Sequence, residues 1–144
     1  MVEIAFRQLD AELPLPTVAH VGDAGVDLYA RVDVVIAPAG GRVLVPTGVA
    51  ISIPNGYVGL VVPRSGLAIK HGITLVNTPG VIDSGYRDEL QVVMMNTDPK
   101  ISYSVKRGDR IAQLLIQRIE EVNWNVVDEL GGNDRGGGFG HSGR

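Results

Sequence analysis

The chain has 144 residues, of which 44% are hydrophobic, and a formal net charge of −3, so it is long enough for one domain with its own core. The acidic balance argues against a sequence-independent binder of nucleic acid, which needs a basic face, and the absence of cysteine removes disulfides, thiol catalysis and thiolate-bound zinc. Because the N-terminus does not resemble a signal peptide and no apolar run approaches about 18 residues, we expect a cytoplasmic protein without a membrane partner.

Short β-rich runs separated by Gly, Pro, Asn and Asp dominate the sequence. In chain order, the predicted strands are Ile4–Leu9, Val26–Tyr29, Val32–Ile36, Arg42–Val45, Val49–Ile53, Tyr57–Val62, Ile73–Val76, Leu90–Met95, Ile101–Val105, Arg110–Arg118 and Val122–Val127. Turns about 8–12 residues apart are typical of a sandwich, barrel or jelly roll. One or two helical turns are predicted at Ser65–Lys70, with Ser65 as the N-cap. We therefore expect an all-β domain over residues 1–130 with one short helix.

The last fourteen residues differ from the rest. Seven positions between Gly131 and Arg144 are glycine, and only Phe139 could join a core. We expect residues 131–144 to form a flexible arm outside the domain body. Composition alone would favour a disordered tail over a binding segment.

Two segments place charged groups where a polyanion could bind. Asp27 alternates with Val26 and Leu28, so its side chain points away from their face and could hold a hydrated Mg²⁺. From this segment alone, a surface aspartate that fixes the preceding turn is the favoured interpretation. Arg64 stands at the start of the predicted helix, where its guanidinium could bind phosphate. An ordinary capped turn with a surface arginine explains that segment equally well.

The stretch Val76–Arg87 is the most informative. Two glycines and a proline bracket one carboxylate, Asp83, and one aromatic side chain, Tyr86. We predict a hairpin loop between Ile73–Val76 and Leu90–Met95, and this loop is longer than a simple hairpin needs. Long loops on a rigid scaffold concentrate function, which favours a functional loop over a plain surface loop.

A glutamine interrupts the long apolar strand at Arg110–Arg118. Gln113 is predicted to share a face with Ile111 and Leu115, opposite Ala112 and Leu114. A glutamine in such a strand needs hydrogen-bond partners. These could be the backbone of a neighbouring strand or a phosphate of a ligand.

Taken in order, these five segments resemble the five motifs of the trimeric dUTPase family, and the match runs from Gly22 to Gly143. The resemblance implies a distorted β jelly roll that assembles as a homotrimer, with active sites at subunit interfaces and an arm that closes a neighbour's site. It also implies Mg²⁺-assisted hydrolysis of dUTP to dUMP and pyrophosphate by water attack on the α-phosphate. Such an enzyme limits uracil in DNA and supplies dUMP for dTMP synthesis.

The resemblance also implies roles for individual residues. Asp83 would be the general base, and Asp27 would hydrogen-bond waters of a Mg²⁺ held mainly by the triphosphate. Tyr86 would lie beneath the deoxyribose and exclude a 2′-hydroxyl. Contacts with the phosphates would come from Arg64, Ser65, Gly66 and Gln113. Gln113 would also be a catalytic residue, together with Asp27 and Asp83.

The remaining implied contacts recognise uracil and close the site. Uracil would be read by Asn77 and by the loop backbone of Gly80, Val81 and Ile82. From the arm, Arg135 would bind the γ-phosphate, Phe139 would stack on uracil, and Gly140 and Ser142 would add further substrate contacts. The chain departs from the family pattern in having one residue fewer between Arg135 and Phe139, and in Asp88, where glycine is common.

Two rival functions can be compared with this one. A dCTP deaminase shares the fold and the trimer, but its catalytic glutamate would fall at Val93, and its Arg-Ser-Ser motif is absent because Gly66 follows Ser65. A non-enzymatic jelly-roll binding module would explain the strands. It would not explain why the carboxylates, Arg64, Tyr86 and Gln113 occur in register.

Overall fold

The computed structural model describes residues 1–133 and 136. Over this part of the chain, short antiparallel strands alternate with turns, and one helix interrupts them. The strands are β1 (Ala5–Gln8), β2 (Gly25–Tyr29), β3 (Val34–Ile36), β4 (Gly41–Pro46), β5 (Val49–Ser52), β6 (Tyr57–Val62), β7 (Ile73–Leu75), β8 (Gly80–Ile82), β9 (Gln91–Asn96), β10 (Tyr103–Val105) and β11 (Arg110–Arg118). The helix α1 covers Ser65–His71. The predicted all-β, jelly-roll-like fold with one short helix is confirmed.

The strands form two larger sheets and two ribbons. A four-stranded sheet has the order β2-β11-β6-β8, and a three-stranded sheet has the order β4-β9-β7. The ribbons pair β1 with β5 and β10 with β3. Alternate side chains of both sheets meet in one core, which includes Leu28, Val61, Val92, Met94 and Ile111. The four-stranded sheet carries most of the residues singled out in the sequence.

The loop predicted as a hairpin connection has a different structure. Strands β7 and β9 do pair, with Thr74 opposite Met95. The chain between them, however, leaves their sheet and forms β8, which pairs with β6 in the other sheet. The prediction of a hairpin loop without a strand of its own was wrong, because Gly80–Ile82 pairs with the edge of β6, which is remote in sequence. The segment is long because it crosses from one sheet to the other.

The predicted strand at Val122–Val127 is absent. Residues 119–130 follow β11 without forming a strand, and Trp124 and Val126 are exposed. Valine-rich sequence favours extended backbone, but a strand forms only where a neighbouring edge supplies hydrogen bonds. In this single chain, no other described segment pairs with these residues.

The helix begins at Ser65, as predicted, but its N-cap differs. Arg64, not Ser65, is the N-cap: its backbone is extended, with φ −91° and ψ 126°, and it makes no side-chain cap hydrogen bond. The N–H of Ala68 donates to the carbonyl of Arg64 at 3.0 Å, so Ser65 is already helical. The helix ends at His71, and the C-cap Gly72 has a φ of 63°, the left-handed conformation that favours glycine. In residues 1–133 and 136, no helix is long and apolar enough to cross a membrane.

Candidate functional site

Asp27 is a buried carboxylate held between two guanidinium groups. Only 5% of the residue is exposed, so the interpretation of Asp27 as a surface residue was wrong. Its Oδ1 lies 3.3 Å from Nε of Arg64, and its Oδ2 lies 3.2 Å from Nη1 of Arg110. Arg64 also donates from Nη1 to the carbonyl of Arg110 at 3.0 Å, which joins the three residues into one cluster. Arg64 is therefore not an ordinary surface arginine either.

Strand register brings this cluster together. Asp27 on β2 lies opposite Gln113 on β11, and Gln113 lies opposite Val62 on β6. From Val62 the chain needs only Pro63 to reach Arg64. A bulge at Ile111 shifts the register of β11, so the predicted strict alternation fails there and both Ile111 and Ala112 are buried.

The cluster retains polar capacity that the described part of the chain does not use. Oδ1 of Asp27 is buried, and although it is within ion-pair distance of Arg64, it accepts no directed hydrogen bond from described residues. The half-buried side chain of Gln113 likewise makes no hydrogen bond to residues 1–133 or 136. Ser65 and Gly66 are exposed at the start of the helix. The structure therefore places Asp27, Arg64, Ser65, Gly66 and Gln113 near one another and adds Arg110.

An open pocket of about 400 Å³ adjoins this cluster. Arg64 and Arg110 form part of its wall, and the rest comes from Tyr29, Leu67, Tyr103, Gly108 and Asp109. Two guanidinium groups beside such a space suit an anionic ligand. We call Asp27, Arg64, Arg110, Gln113 and the start of α1 the anion half-site.

A second group of predicted residues lies around β8. A small pocket of about 50 Å³ is lined by Asn77, Gly80, Val81, Ile82, Val61, Leu75, Gln91, Val92 and Val93. Gly80 is buried, and a Cβ atom there would lie 3.4 Å from Nδ2 of Asn77 and 3.5 Å from Val61 Cβ. Glycine therefore leaves room for a ligand to approach the backbone and the Asn77 amide.

Asp83 and Tyr86 follow this pocket in an exposed turn. The N–H of Tyr86 donates to the carbonyl of Asp83 at 3.0 Å, and the Tyr86 hydroxyl donates to the carbonyl of Glu89 at 2.9 Å. The turn presents the Asp83 carboxylate to solvent, and 36% of Tyr86 is exposed. We call residues 77–86 the base half-site, because they combine residues that line this small pocket with an exposed carboxylate.

The two half-sites lie far apart within one chain. Ile82 on β8 lies opposite Gly59 on β6. Asp27 on β2 lies in the row of Val62, which is three residues further along β6. Strands β2 and β8 are three strand spacings apart. Strand spacings of about 4.8 Å and a rise of about 3.3 Å per residue separate the Cα atoms of Asp27 and Ile82 by roughly 17 Å. Asp83 lies one residue further still. The structure therefore does not bring Asp83 and Asp27 into one site within a single chain.

Comparison with known proteins identifies the family. The dUTPase family model matches residues 11–143. Over 143 residues the chain is 54% identical to the deoxyuridine 5′-triphosphate nucleotidohydrolase of Thermobifida fusca (strain YX), a match that covers 99% of this chain and 79% of the relative. The protein of the same name from Nocardia farcinica is 55% identical, with 97% of this chain and 85% of the relative covered. This chain belongs to the dUTPase family.

Solved dUTPase structures share the fold. The Staphylococcus bacteriophage 80alpha dUTPase, in a mutant with dUpNHpp, superposes with a TM-score of 0.88 at 30% identity and 99% coverage of both chains. A mutant dUTPase from phage phi11 of S. aureus, described for its coordination of a structural Mg(II) ion, gives a TM-score of 0.82 at 28% identity. That match covers 90% of this chain and 99% of the phage protein. The dUTPase fold therefore accounts for nearly all of the described chain.

Sequence reasoning missed two contributors to the dUTPase candidate site. Arg110 was considered only as the first residue of a strand, although it forms an ion pair with Asp27. Glu89 was not considered, although its backbone carbonyl accepts the Tyr86 hydroxyl and its side chain contacts Arg31 and Gly48. The arginine could have been found from the Gly108-Asp109-Arg110 turn opening a strand that carries Gln113. The glutamate gives no comparable signal, because its side-chain partners, Arg31 and Gly48, are remote in sequence.

Four predicted contacts cannot be placed. Arg135, Phe139, Gly140 and Ser142 lie outside the described residues, so their proposed contacts with substrate stay predictions.

Proposed function

We propose that this member of the dUTPase family hydrolyses dUTP to dUMP and pyrophosphate. The observation that carries the proposal is that one chain contains both an anion half-site around Asp27 and a base half-site with the exposed carboxylate of Asp83. Phosphoanhydride hydrolysis needs charge neutralisation, positioning and one group to activate water. These two half-sites supply all three.

The anion half-site fits a triphosphate. Arg64 and Arg110 offer guanidinium donors, and the Gln113 amide adds a neutral donor whose hydrogen bonds are unused in the described chain. Their charge would stabilise the phosphate oxygens as the pyrophosphate leaves. Ser65 and Gly66 are exposed beside Arg64, so their backbone can reach a phosphate without clash.

The residues around Asp27 fit a Mg²⁺ bound through water. Guanidinium groups face both carboxylate oxygens, and the described residues contain no cluster of three or more His, Cys, Asp or Glu side chains that could enclose a metal. Mg²⁺ commonly keeps several waters and binds phosphates with few protein ligands. Asp27 would accept hydrogen bonds from such waters through Oδ1, which lacks a directed donor. The ion, when bound, would neutralise charge on the triphosphate.

Asp83 is suited to activate the attacking water. Its carboxylate is exposed, and no described residue forms an ion pair with it, so both oxygens can accept a proton or a hydrogen bond. It would orient a water molecule and take its proton as the water oxygen bonds to the α-phosphorus. The bond from that phosphorus to the bridging oxygen breaks, and pyrophosphate leaves.

The pocket at β8 supports recognition of uracil and deoxyribose. The Asn77 amide and the backbone of Gly80, Val81 and Ile82 border a narrow space suited to the edge of a pyrimidine. A cytosine would leave these groups unpaired because its donor pattern is reversed on that edge. Tyr86 would pack under the sugar and leave no room for a 2′-hydroxyl.

The active form would be a homotrimer. Because the half-sites are roughly 17 Å apart in one chain, a single dUTP needs the anion half-site of one subunit and the base half-site of another. Arg135 and Phe139, with Gly140 and Ser142, would then close the composite site. Turnover there would limit uracil in DNA and supply dUMP.

A panel of nucleotides tests the function. The purified protein is incubated with Mg²⁺ and dUTP, UTP, dCTP or dTTP, and pyrophosphate and ammonia are measured. We expect pyrophosphate from dUTP far above the others, no ammonia from dCTP, and loss of activity when EDTA removes the metal. Ammonia from dCTP would favour a deaminase instead, and neither product from any nucleotide would favour a binding module.

A further inference from the structure

Glu89 attaches the end of the Asp83 loop, residues 83–88, to the body of the domain. Its side chain is 19% exposed. Oε1 accepts the N–H of Gly48 at 2.7 Å, and Arg31 Nη1 donates to both carboxylate oxygens at 3.3 Å. A carboxylate with a charged partner and a backbone donor has a fixed position.

The backbone of Glu89 faces the other way, toward the loop. Its carbonyl accepts the hydroxyl of Tyr86 at 2.9 Å, and the N–H of Tyr86 donates to the carbonyl of Asp83. These contacts connect Glu89 through Tyr86 to Asp83. The orientation of the tyrosine ring and the course of the turn therefore depend on where Glu89 is held.

The partners of the Glu89 side chain are themselves rigid. Gly48 has a φ of 73°, and a Cβ atom there would lie 3.0 Å from Cβ of Asp10 and 3.1 Å from Cδ1 of Leu13. Arg31 also donates to Oδ2 of Asp10 at 3.4 Å. Directly after Glu89, the N–H of Leu90 donates to the carbonyl of Val49 at 2.7 Å. The loop is thus anchored on packed backbone at one end and exposed along the rest.

We propose that Glu89 is a positioning residue that holds Asp83 and Tyr86 in their working geometry. This inference rests on the proposed function, in which those two residues act on the nucleotide. Glu89 itself does not contact the substrate. A displacement of about 1 Å at a reacting group can cost on the order of 100-fold in rate. Freeing the loop should therefore lower kcat strongly while the Tm changes less.

Three variants and one control test this. Glu89→Ala removes the contacts with both Gly48 and Arg31. Glu89→Gln keeps an oxygen that can accept the Gly48 N–H. Glu89→Asp keeps a charge for Arg31, but its shorter side chain does not reach Gly48. Asp10→Asn is the control, because it weakens the same ion network without contacting the loop. For each protein, kcat and KM for dUTP, the Tm, and amide hydrogen exchange of residues 83–88 are measured.

We expect Glu89→Ala to lower kcat by roughly 10- to 100-fold and to speed exchange of the loop amides. Glu89→Gln should recover more activity than Glu89→Asp, although it carries no charge, because only the longer side chain reaches Gly48. This comparison decides the question even if the alanine variant does not fold. Asp10→Asn should lower the Tm while kcat and loop exchange stay unchanged.

Folded Glu89 variants with wild-type kcat and loop exchange would overturn this inference alone. The same holds if Asp10→Asn lowers kcat as much as Glu89→Ala does, since Glu89 would then act only through stability. By contrast, a wild-type protein that releases no pyrophosphate from dUTP would overturn the proposed function.

Discussion

Two aspartates of the candidate site have the same side chain and opposite surroundings. Asp27 is buried, and guanidinium groups of Arg64 and Arg110 face its two oxygens. Asp83 is exposed in a turn, and its oxygens are open to a water molecule. A proton acceptor needs accessible lone pairs, whereas a group that orders metal-bound water needs a fixed position. The surroundings thus support the different role proposed for each aspartate.

Asp83→Asn should stop chemistry and preserve binding. Asparagine cannot take a proton from water, so we expect kcat for dUTP to fall by roughly 10²- to 10⁴-fold. The Kd for dUpNHpp should change far less, because Asp83 orients a water and not the nucleotide. Asp88→Asn is the matched control: it removes an exposed carboxylate from the same loop and should keep near-wild-type activity. Wild-type turnover by folded Asp83→Asn would exclude Asp83 as the base.

At the scale of elements, β8 determines how the base half-site is built. The segment after β7 crosses to the four-stranded sheet, pairs with β6 over Gly80–Ile82, and returns to form β9. The strand pairing fixes the backbone that borders the pocket, and the turn after it leaves Asp83 and Tyr86 exposed. Regular pairing therefore positions the backbone that lines the pocket, while the turn carries the proposed general base.

Removal of residues 131–144 tests the role of the predicted arm. The buried core residues lie between Leu13 and Leu114, so we expect the Tm and the mass of the assembly to change little. Loss of Arg135 and Phe139 should lower kcat/KM for dUTP strongly, because the proposed contacts with the γ-phosphate and uracil are removed and water can enter the site. The full-length double variant Arg135→Ala/Phe139→Ala should show a similar loss. A truncated protein that unfolds or dissociates would show that the segment is structural.

At the scale of the whole molecule, the two half-sites lie apart, which supports the proposal that subunits share a site. One part of the chain gathers Asp27 and two guanidinium groups, and a distant loop carries Asp83 and Tyr86. Residues 119–130 add exposed apolar side chains, among them Trp124 at 85% exposure, beyond the last strand. The placement of these groups and the family both support the proposed homotrimer.

Mixed oligomers test whether subunits share a site. Asp83→Asn and Asp27→Asn proteins are each expected to be inactive, and they are denatured together and refolded at several ratios. If each site combines Asp27 of one chain with Asp83 of another, some mixed sites receive both intact aspartates and activity rises well above either parent. If both residues serve a site within one chain, every site lacks one of them. No recovery at any ratio, with mixed assemblies verified by native mass spectrometry, would contradict the shared site.

The ion network at the N-terminal segment predicts a pH dependence of stability. The hydrogen bond from Arg107 holds the pKa of Asp10 at about 2, below the ordinary value of 3.8. Since the pKa of Asp10 is lower in the folded state, its stabilisation of the fold is complete above pH 4 and is lost as the pH falls through 2. Asp10→Asn should therefore lower the Tm near neutral pH, and the difference from wild type should shrink toward pH 2. A Tm difference that stays constant over this range would show that the Asp10 charge contributes nothing.

Much of the fold could be predicted because strand signals are local. The strands Tyr57–Val62 and Arg110–Arg118 have the predicted bounds, and most others differ by one or two residues. Alternation of apolar residues and the turns between them depend only on neighbours in sequence. The same local signals failed at two places. Val122–Val127 was predicted as a strand but has no partner edge among the described residues, and Gly80–Ile82 was not predicted as a strand but pairs with β6.

The sequence by itself determined the family, the all-β class and the residue types that phosphate hydrolysis needs, because motif order and side-chain chemistry are written along the chain. Only the tertiary structure decided that Asp27 is buried against Arg64 and Arg110, that β8 joins the sheet of β6, and that Glu89 reaches Gly48. It also decided that Asp27 and Asp83 lie apart within one chain. Burial, pairing and separation depend on residues remote in sequence, which only the packed chain brings into contact.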